Sequence, residues 1–139
     1  MHQLPVERGG TMTKTDARLL FLECLGRLLV FSQERGIRAM LYEFYRSPAE
    51  QKKKVEAGLS KVGHSQHQDW LAADFVVMRD HLPDWSHSIG DEYETLGVYW
   101  ETLHPLCRWG GRFGRDDAKG KPGWDAGHFE LSRKWGEQS

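Results

Sequence analysis

Residues 65–78, SQHQDWLAADFVVM, join a polar loop to a short apolar run that contains one charged residue, Asp74. Glycine and polar residues dominate residues 58–69 and predict the loop, whereas the apolar run at 71–78 predicts a buried strand. A carboxylate in a buried strand is costly unless it has a partner, and a metal ion is one such partner. This stretch therefore predicts a strand that carries a candidate metal ligand.

Helical spacing characterises the chain upstream of this loop. Apolar residues recur every three or four positions within residues 15–35, which predicts a helix that Thr15 or Asp16 caps and Gly36 ends. The apolar and aromatic run IRAMLYEFY, residues 37–45, predicts a strand after this helix.

A capping-box pattern follows that strand. Ser47 is suited to the N-cap, Pro48 to the first helical position, and Glu50 to the position that completes the box. We therefore expect a second helix to begin here and to end near residue 57, before Gly58.

The remaining segments are shorter. Residues 79–89 predict a polar loop, residues 91–103 a helix, residues 108–126 a glycine-rich loop, and residues 127–131 a final strand. No internal repeat or linker divides the chain, so one domain is expected.

Length and composition agree with a single globular domain. The chain has 139 residues, of which we expect 1–12 to be a flexible leader and 13–139 to form the domain. It has no signal-peptide pattern and no apolar run long enough to span a membrane. The net charge of −1 gives no reason to expect nucleic acid as a partner. Cys24 and Cys107 show no disulfide framework.

Three residues could form an open metal site. His67 and Asp74 belong to one loop and strand, and His128 belongs to a separate predicted strand. A catalytic zinc ion takes three such protein ligands and keeps one open position, where Asp125 could take a proton from water. Spacing alone leaves the alternative that both histidines are ordinary surface residues and that Asp74 pairs with an arginine.

Three motifs in order resemble a known family, the VanY-type D,D-carboxypeptidases and the related L-alanyl-D-glutamate endopeptidases of phage endolysins. That family's S-x-H-x-x-G-x-A-x-D signature is similar to Ser65-x-His67-x-x-Trp70-x-Ala72-x-Asp74. Its second signature, an acidic residue three positions before the last ligand, is similar to Asp125-x-x-His128. Its Y-R-S…Q segment is similar to Tyr45-Arg46-Ser47 with Gln51. The resemblance covers roughly residues 15–131.

The resemblance implies a role for each matching residue. It implies that His67, Asp74 and His128 are ligands of Zn²⁺ and that Asp125 is the catalytic base. It implies that Arg46 steadies negative charge on the substrate or oxyanion, with supporting roles for the residues Ser65 and Gln51.

The resemblance also implies a fold. The family has a small α+β domain in which an antiparallel sheet with flanking helices cradles the zinc, as in the hedgehog signalling domain. One position departs from the family pattern, because Trp70 stands where glycine is usual. A bulky ring there could reshape the loop between the first two ligands.

Three functions fit these motifs. The first is an endolysin that cuts the L-Ala–D-Glu bond of the bacterial peptidoglycan stem peptide. The second is a D-alanyl-D-alanine carboxypeptidase, and the third is a zinc-bearing binding module without catalysis. The lack of a signal-peptide pattern favours the first, and we expect a monomer that stays in the cytoplasm until it is released to the cell wall.

Overall fold

Helix α1, Lys14–Glu34, is the longest helix of the described residues. The computed structural model describes residues 12–60, 63–85, 92–113 and 125–137. The N-cap of α1 is Thr13, whose hydroxyl accepts a hydrogen bond from Asp16 N at 3.0 Å, while the Asp16 carboxylate accepts one from Thr13 N at 3.2 Å. The predicted helix is confirmed, but its cap lies earlier, because Asp16 is the third residue of a capping box and not the cap itself.

Strand β1, Ala39–Glu43, and helix α2, Pro48–Glu56, follow α1. The Ser47 hydroxyl accepts a hydrogen bond from Glu50 N at 3.1 Å, and Pro48 occupies the first turn. Both the strand and the capping box are therefore confirmed.

The strands form one antiparallel sheet with flanking helices. The described part of the chain adds β2 Ala72–Arg79, β3 Leu82–Asp84, helix α3 Glu92–Leu103, β4 Cys107–Trp109 and β5 His128–Leu131. The strand order is β1-β2-β5-β4, and β3 pairs with β2. The α+β fold with a small antiparallel sheet is thus as predicted.

Alternation along the strands separates two faces of the sheet. Phe75 on β2 and Phe129 on β5 are buried against the helices, with ring centroids 5.8 Å apart. Trp100 of α3 packs on Phe129 and donates from its indole nitrogen to the carbonyl oxygen of Glu130 at 3.2 Å. Since side chains alternate along a strand, the neighbours of these aromatic residues point to the opposite face.

A close approach brings α3 against β4. A β-carbon on Gly97 would lie 2.0 Å from the ring of Trp109, so only glycine fits at this helix position. Trp109 is fully buried, and its indole nitrogen donates to the carbonyl oxygen of Ala126 at 2.7 Å. These contacts tie the start of β5 to the helical layer.

Two strands lie wholly or mostly in segments that the sequence predicts as loops. Strand β3 forms a hairpin with β2, and the two turn residues, Asp80 and His81, both have positive φ, as a two-residue type I′ turn requires. Strand β4 has only three residues and begins the glycine-rich segment. Both strands are too short to show periodicity, and they exist because β2 and β5 offer them pairing partners.

Of the predicted leader, the described residues include only the last one, Met12. Met12 is 2% exposed and packs in the core beside α1. Residues 1–11 lie outside the described residues, so the leader and the boundary at residue 13 stay predictions. No helix within the described ranges has the length and apolar character needed to cross a membrane.

Candidate metal centre

The polar face of the sheet places three acidic or basic residues in one row. Glu43 of β1 is the register partner of Asp74 on β2, and Asp74 is in turn the partner of His128 on β5. Paired residues in neighbouring strands have β-carbons about 5 Å apart. Antiparallel pairing therefore brings Asp74 and His128 together although 54 positions separate them in the chain.

A short 3-10 helix, Gln66–Asp69, holds His67 beside this row. The Ser65 side chain caps the helix by accepting a hydrogen bond from His67 N at 3.1 Å. His67 is 1% exposed, and its Nδ1 lies 2.7 Å from the carbonyl oxygen of Phe44. A carbonyl only accepts, so this contact requires a proton on Nδ1 and leaves the lone pair on Nε2 of a neutral ring.

The lone pair of His67 Nε2 has no hydrogen-bond partner among the described residues, although the atom is buried. It lies 3.1 Å from Asp74 Oδ2, but the two atoms are not aligned for a hydrogen bond. A buried acceptor is costly when it is left without a partner. Two electron-rich atoms that converge in this way fit a shared cation.

His128 lies between two carboxylates. Its Nδ1 is 2.8 Å from Asp74 Oδ1, and its Nε2 is 2.8 Å from Glu130 Oε1. Glu130 is 7% exposed, and its other oxygen lies 3.4 Å from Nη1 of Arg108. A histidine that ligates a metal commonly donates its other N–H to a carboxylate. Glu130 can accept that hydrogen bond, which leaves Nδ1 of His128 for a metal.

The three side chains together fit a divalent transition metal. The ligand atoms of His67, Asp74 and His128 all lie within 4.8 Å of one another, and all three residues are buried. The ligand atoms of one tetrahedral zinc ion lie about 3.3 Å from one another, which falls within this limit. Two imidazole nitrogens and a carboxylate oxygen are also a donor set that zinc prefers.

The charge distribution of the cluster also fits a bound cation. Burial alone would raise the pKa of Asp74, but the imidazole of His128, 2.8 Å away, outweighs burial and holds this pKa well below its usual range. Burial opposes the charged form of His128, yet Asp74 and Glu130 outweigh it and raise the pKa of His128 to about 10. The surroundings of His128 therefore favour a positive charge, which either a proton or a metal ion can supply.

Asp125 lies at the edge of the cluster. Its Oδ2 is 3.9 Å from His128 Nδ1, and its side chain is 35% exposed. Its backbone is held by Gly110, whose carbonyl oxygen accepts from Asp125 N at 3.2 Å. Asp125 is thus near the ligand atoms and open to the cleft, as the proposed base must be. Trp124, the residue before it, lies outside the described residues.

Arg46 is held in a fixed orientation on the other side of the cluster. Its Nη1 donates to Gln51 Oε1 at 2.7 Å, and its Nη2 forms a short ion pair with Glu43. Arg46 is 7% exposed, and its Nε has no hydrogen-bond partner among the described residues. Gln51 is itself anchored by Ser60, whose hydroxyl accepts from Gln51 Nε2 at 2.9 Å.

The tryptophan that departs from the family signature has a backbone conformation that suits glycine. Trp70 ends the 3-10 helix with φ 62°, in the left-handed region. Its exposed ring packs against Tyr45, with centroids 5.9 Å apart, and under the guanidinium of Arg18 at 4.3 Å. These contacts compensate for strain of about 1–2 kcal/mol. Because the Trp70 ring points to the surface, it does not displace His67 from the cluster.

A cleft of about 780 Å³ opens over the cluster. Tyr42, Glu43 and Arg46 line one part of it, and Arg108 and Phe113 line another. Burial, followed by the negative charges of Asp74 and Asp125, raises the pKa of Tyr42, so its hydroxyl keeps its proton. The cleft is large enough to take a short peptide segment over the ligand atoms.

Sequence reasoning missed two carboxylates of this site. Glu130 could have been found from the period of two along β5, because it shares a face with His128. Glu43 gave no such signal, since its role depends on the register between β1 and β2. Among the remaining histidines, His64 and His81 are exposed, His104 is half-buried, and His87 lies outside the described residues.

The fold is that of a solved peptidase. The crystal structure of the Serratia marcescens L-Ala D-Glu endopeptidase ChiX matches this chain with a TM-score of 0.62 and 24% identity, over 81% of this chain and 77% of that chain. No protein-family model matches the chain, and no curated protein matches it. A likeness at this identity establishes a shared fold, while the activity has to be argued from the site.

Proposed function

We propose that this chain is a zinc-dependent peptidoglycan peptidase that hydrolyses the L-Ala–D-Glu bond of the stem peptide. The observation that carries the proposal is the buried convergence of His67 Nε2, Asp74 and His128 Nδ1 under an open cleft. The fold shared with an L-Ala D-Glu endopeptidase supports the same substrate class. The motif resemblance to phage endolysins supports release to the cell wall as an endolysin.

Asp125 is the proposed general base. A zinc ion held by the three ligands would supply a Lewis acid for the scissile carbonyl and lower the pKa of a water molecule. The Asp125 carboxylate, 3.9 Å from the ligand atom of His128, takes the proton from the attacking water. It then delivers that proton to the leaving amine.

Arg46 is the proposed cation for the charge that develops on the substrate. Its guanidinium is held by Glu43 and Gln51 before the substrate arrives, so little reorganisation is needed during the reaction. Gln51 and Ser65 act through other residues, the first by orienting Arg46 and the second by capping the helix that carries His67.

Mass spectrometry of peptidoglycan fragments tests this proposal. Purified stem peptides are incubated with the protein in the presence of zinc, and with chelator-treated protein as the control. We expect zinc-dependent release of a product that begins at D-Glu, which leaves L-Ala as the free C-terminus on the glycan side. Release of D-alanine alone would identify a D,D-carboxypeptidase. Zinc binding without any cleavage would identify a binding module.

A further inference from the structure

Arg108 lies beside the candidate metal centre on the edge strand β4. It is the register partner of Glu130, and its side chain is 51% exposed in the cleft. Its guanidinium carbon stands 4.8 Å from the ring centroid of Phe113, and its Nη1 is 3.4 Å from Glu130 Oε2. The ring of Phe113 therefore supports the guanidinium, and among the described residues one long contact, to Glu130, engages one of its five N–H donors.

Two further cations line the same cleft. Lys54 of α2 meets no carboxylate within ion-pair distance in the described ranges, and Arg133 donates to the carbonyl oxygen of His64. None of these three cations has a role in the proposed reaction. Arg46, in contrast, is committed to Glu43 and Gln51.

The charges of the described lining residues predict an anionic ligand. Four carboxylates, Glu43, Asp74, Asp125 and Glu130, are matched by four cations, Arg46, Lys54, Arg108 and Arg133. A divalent metal ion on the cluster would leave this lining with an excess of two positive charges. A cleft with an excess of one sign attracts ligands of the opposite sign.

We propose that Arg108, assisted by Lys54 and Arg133, binds a carboxylate of the substrate on the C-terminal side of the scissile bond. This inference rests on the proposed function. In the stem peptide, D-Glu is linked through its γ-carboxyl group, so its α-carboxylate is free directly after the bond that is cut. The third residue of the stem can bring a second carboxylate. Both sources present the planar group that the guanidinium fork matches.

Binding measurements on an inactive variant test the subsite without relying on turnover. Zinc-loaded Asp125→Asn protein is titrated by calorimetry with L-Ala-γ-D-Glu-L-Lys, with its D-isoglutamine counterpart, and with the peptide that carries diaminopimelate in place of Lys. We expect amidation of the D-Glu α-carboxylate to weaken binding about tenfold to a hundredfold, the value of a hydrogen bond between charged groups. Adding Arg108→Gln should weaken binding of the acid peptide. The ratio of the affinities for the acid peptide and the amide peptide should then be close to one.

Control variants separate the subsite from general damage. Arg38 is exposed and does not line the cleft. Arg38→Gln should therefore leave the ratio of the affinities for the acid and amide peptides as it is without this substitution. Lys54→Gln should reduce the ratio by a smaller factor, and it provides a second test if Arg108→Gln fails to fold or to hold zinc.

The outcomes distinguish this inference from the proposed function. Arg108→Gln could instead reduce the ratio of the affinities for the diaminopimelate peptide and the Lys peptide to about one. In that case the carboxylate belongs to the third residue, and the subsite stands. Unchanged ratios in both Arg108→Gln and Lys54→Gln overturn the subsite, even where the wild-type protein still cleaves the bond. Selective binding of the acid peptide by a wild-type protein that cleaves no stem peptide upholds the subsite and refutes the proposed function.

Discussion

Gly110 and Asp125 are in such close contact that a β-carbon on residue 110 would lie 2.0 Å from the carbonyl oxygen of Asp125. The same β-carbon would lie 2.9 Å from that of His128. The carbonyl oxygen of Gly110 also accepts the hydrogen bond from Asp125 N. A residue without a side chain therefore sets the position of both the proposed base and one proposed ligand.

Replacing this glycine should damage the site. In Gly110→Ala the backbone at Asp125 and His128 must move, because real side chains do not tolerate such short contacts. We expect loss of both zinc affinity and peptidase activity, measured by chelator competition and peptide cleavage. Gly26 in α1 is the matched control, since a β-carbon there meets nothing within 4 Å. Gly26→Ala should keep activity and raise the free energy of unfolding by about 0.5–1 kcal/mol. Normal zinc binding in Gly110→Ala would show that Gly110 does not set the position of His128.

Removal of one proposed ligand should remove the metal. His67→Ala deletes a buried nitrogen, Nε2, that has no hydrogen-bond partner among the described residues, so we expect the variant to lose stoichiometric zinc by elemental analysis. His81 is exposed in a turn with positive φ, and His81→Asn suits that conformation and should keep the metal. Equal zinc content in the two variants would refute the ligand assignment.

Substitution of the proposed base should separate catalysis from metal binding. Asn is nearly the size of Asp and cannot take up a proton, so Asp125→Asn should fold and keep its zinc. We expect the cleavage rate to fall by about two to four orders of magnitude, the usual range for a general acid–base group. A variant that retains both zinc and full activity would show that Asp125 is not the base.

The shape of the Arg46 side chain should matter as well as its charge. Arg46→Lys keeps the cation but cannot reach Glu43 and Gln51 at once, so we expect kcat/KM to fall about tenfold to a hundredfold. Arg38→Lys, on the exposed surface, serves as the control. Unchanged kinetics in Arg46→Lys would remove this residue from the mechanism.

The metal-free protein should lose stability at alkaline pH. The pKa of His128 is raised to about 10 in the folded chain, above its ordinary value of about 6.5. The stabilisation from its charged form is therefore complete below about pH 6.5 and lost as the pH rises through about 10. The lowered pKa of Asp74 acts at the other end, where stability is lost under strongly acidic conditions.

Urea unfolding of chelator-treated protein at several pH values measures this dependence. We expect the free energy of unfolding to fall between pH 7 and pH 10 in the wild-type protein, the range set by the raised pKa of His128. His128→Gln has no such group and should show a smaller slope. Zinc affinity should rise over the same range, because the metal competes with the proton on His128. A stability that does not change over this range would mean that His128 is neutral without metal.

The sequence by itself determined the elements that local patterns encode. The capping box at Ser47, the spacing of α1 and the apolar run of β2 are all properties of contiguous residues, so they could be read directly. The ordered motifs also singled out His67, Asp74 and His128, and the structure brings these three side chains together. Their roles stay a proposal.

Only the tertiary structure decided which residues of neighbouring strands lie opposite one another. The register between β2 and β5 sets Asp74 opposite His128, and the register between β4 and β5 sets Arg108 beside Glu130. Each register depends on hydrogen bonds between segments far apart in the chain, which no local period records. The need for glycine at residue 110 arises in the same way, because the atoms that exclude a side chain there belong to another strand and its loop.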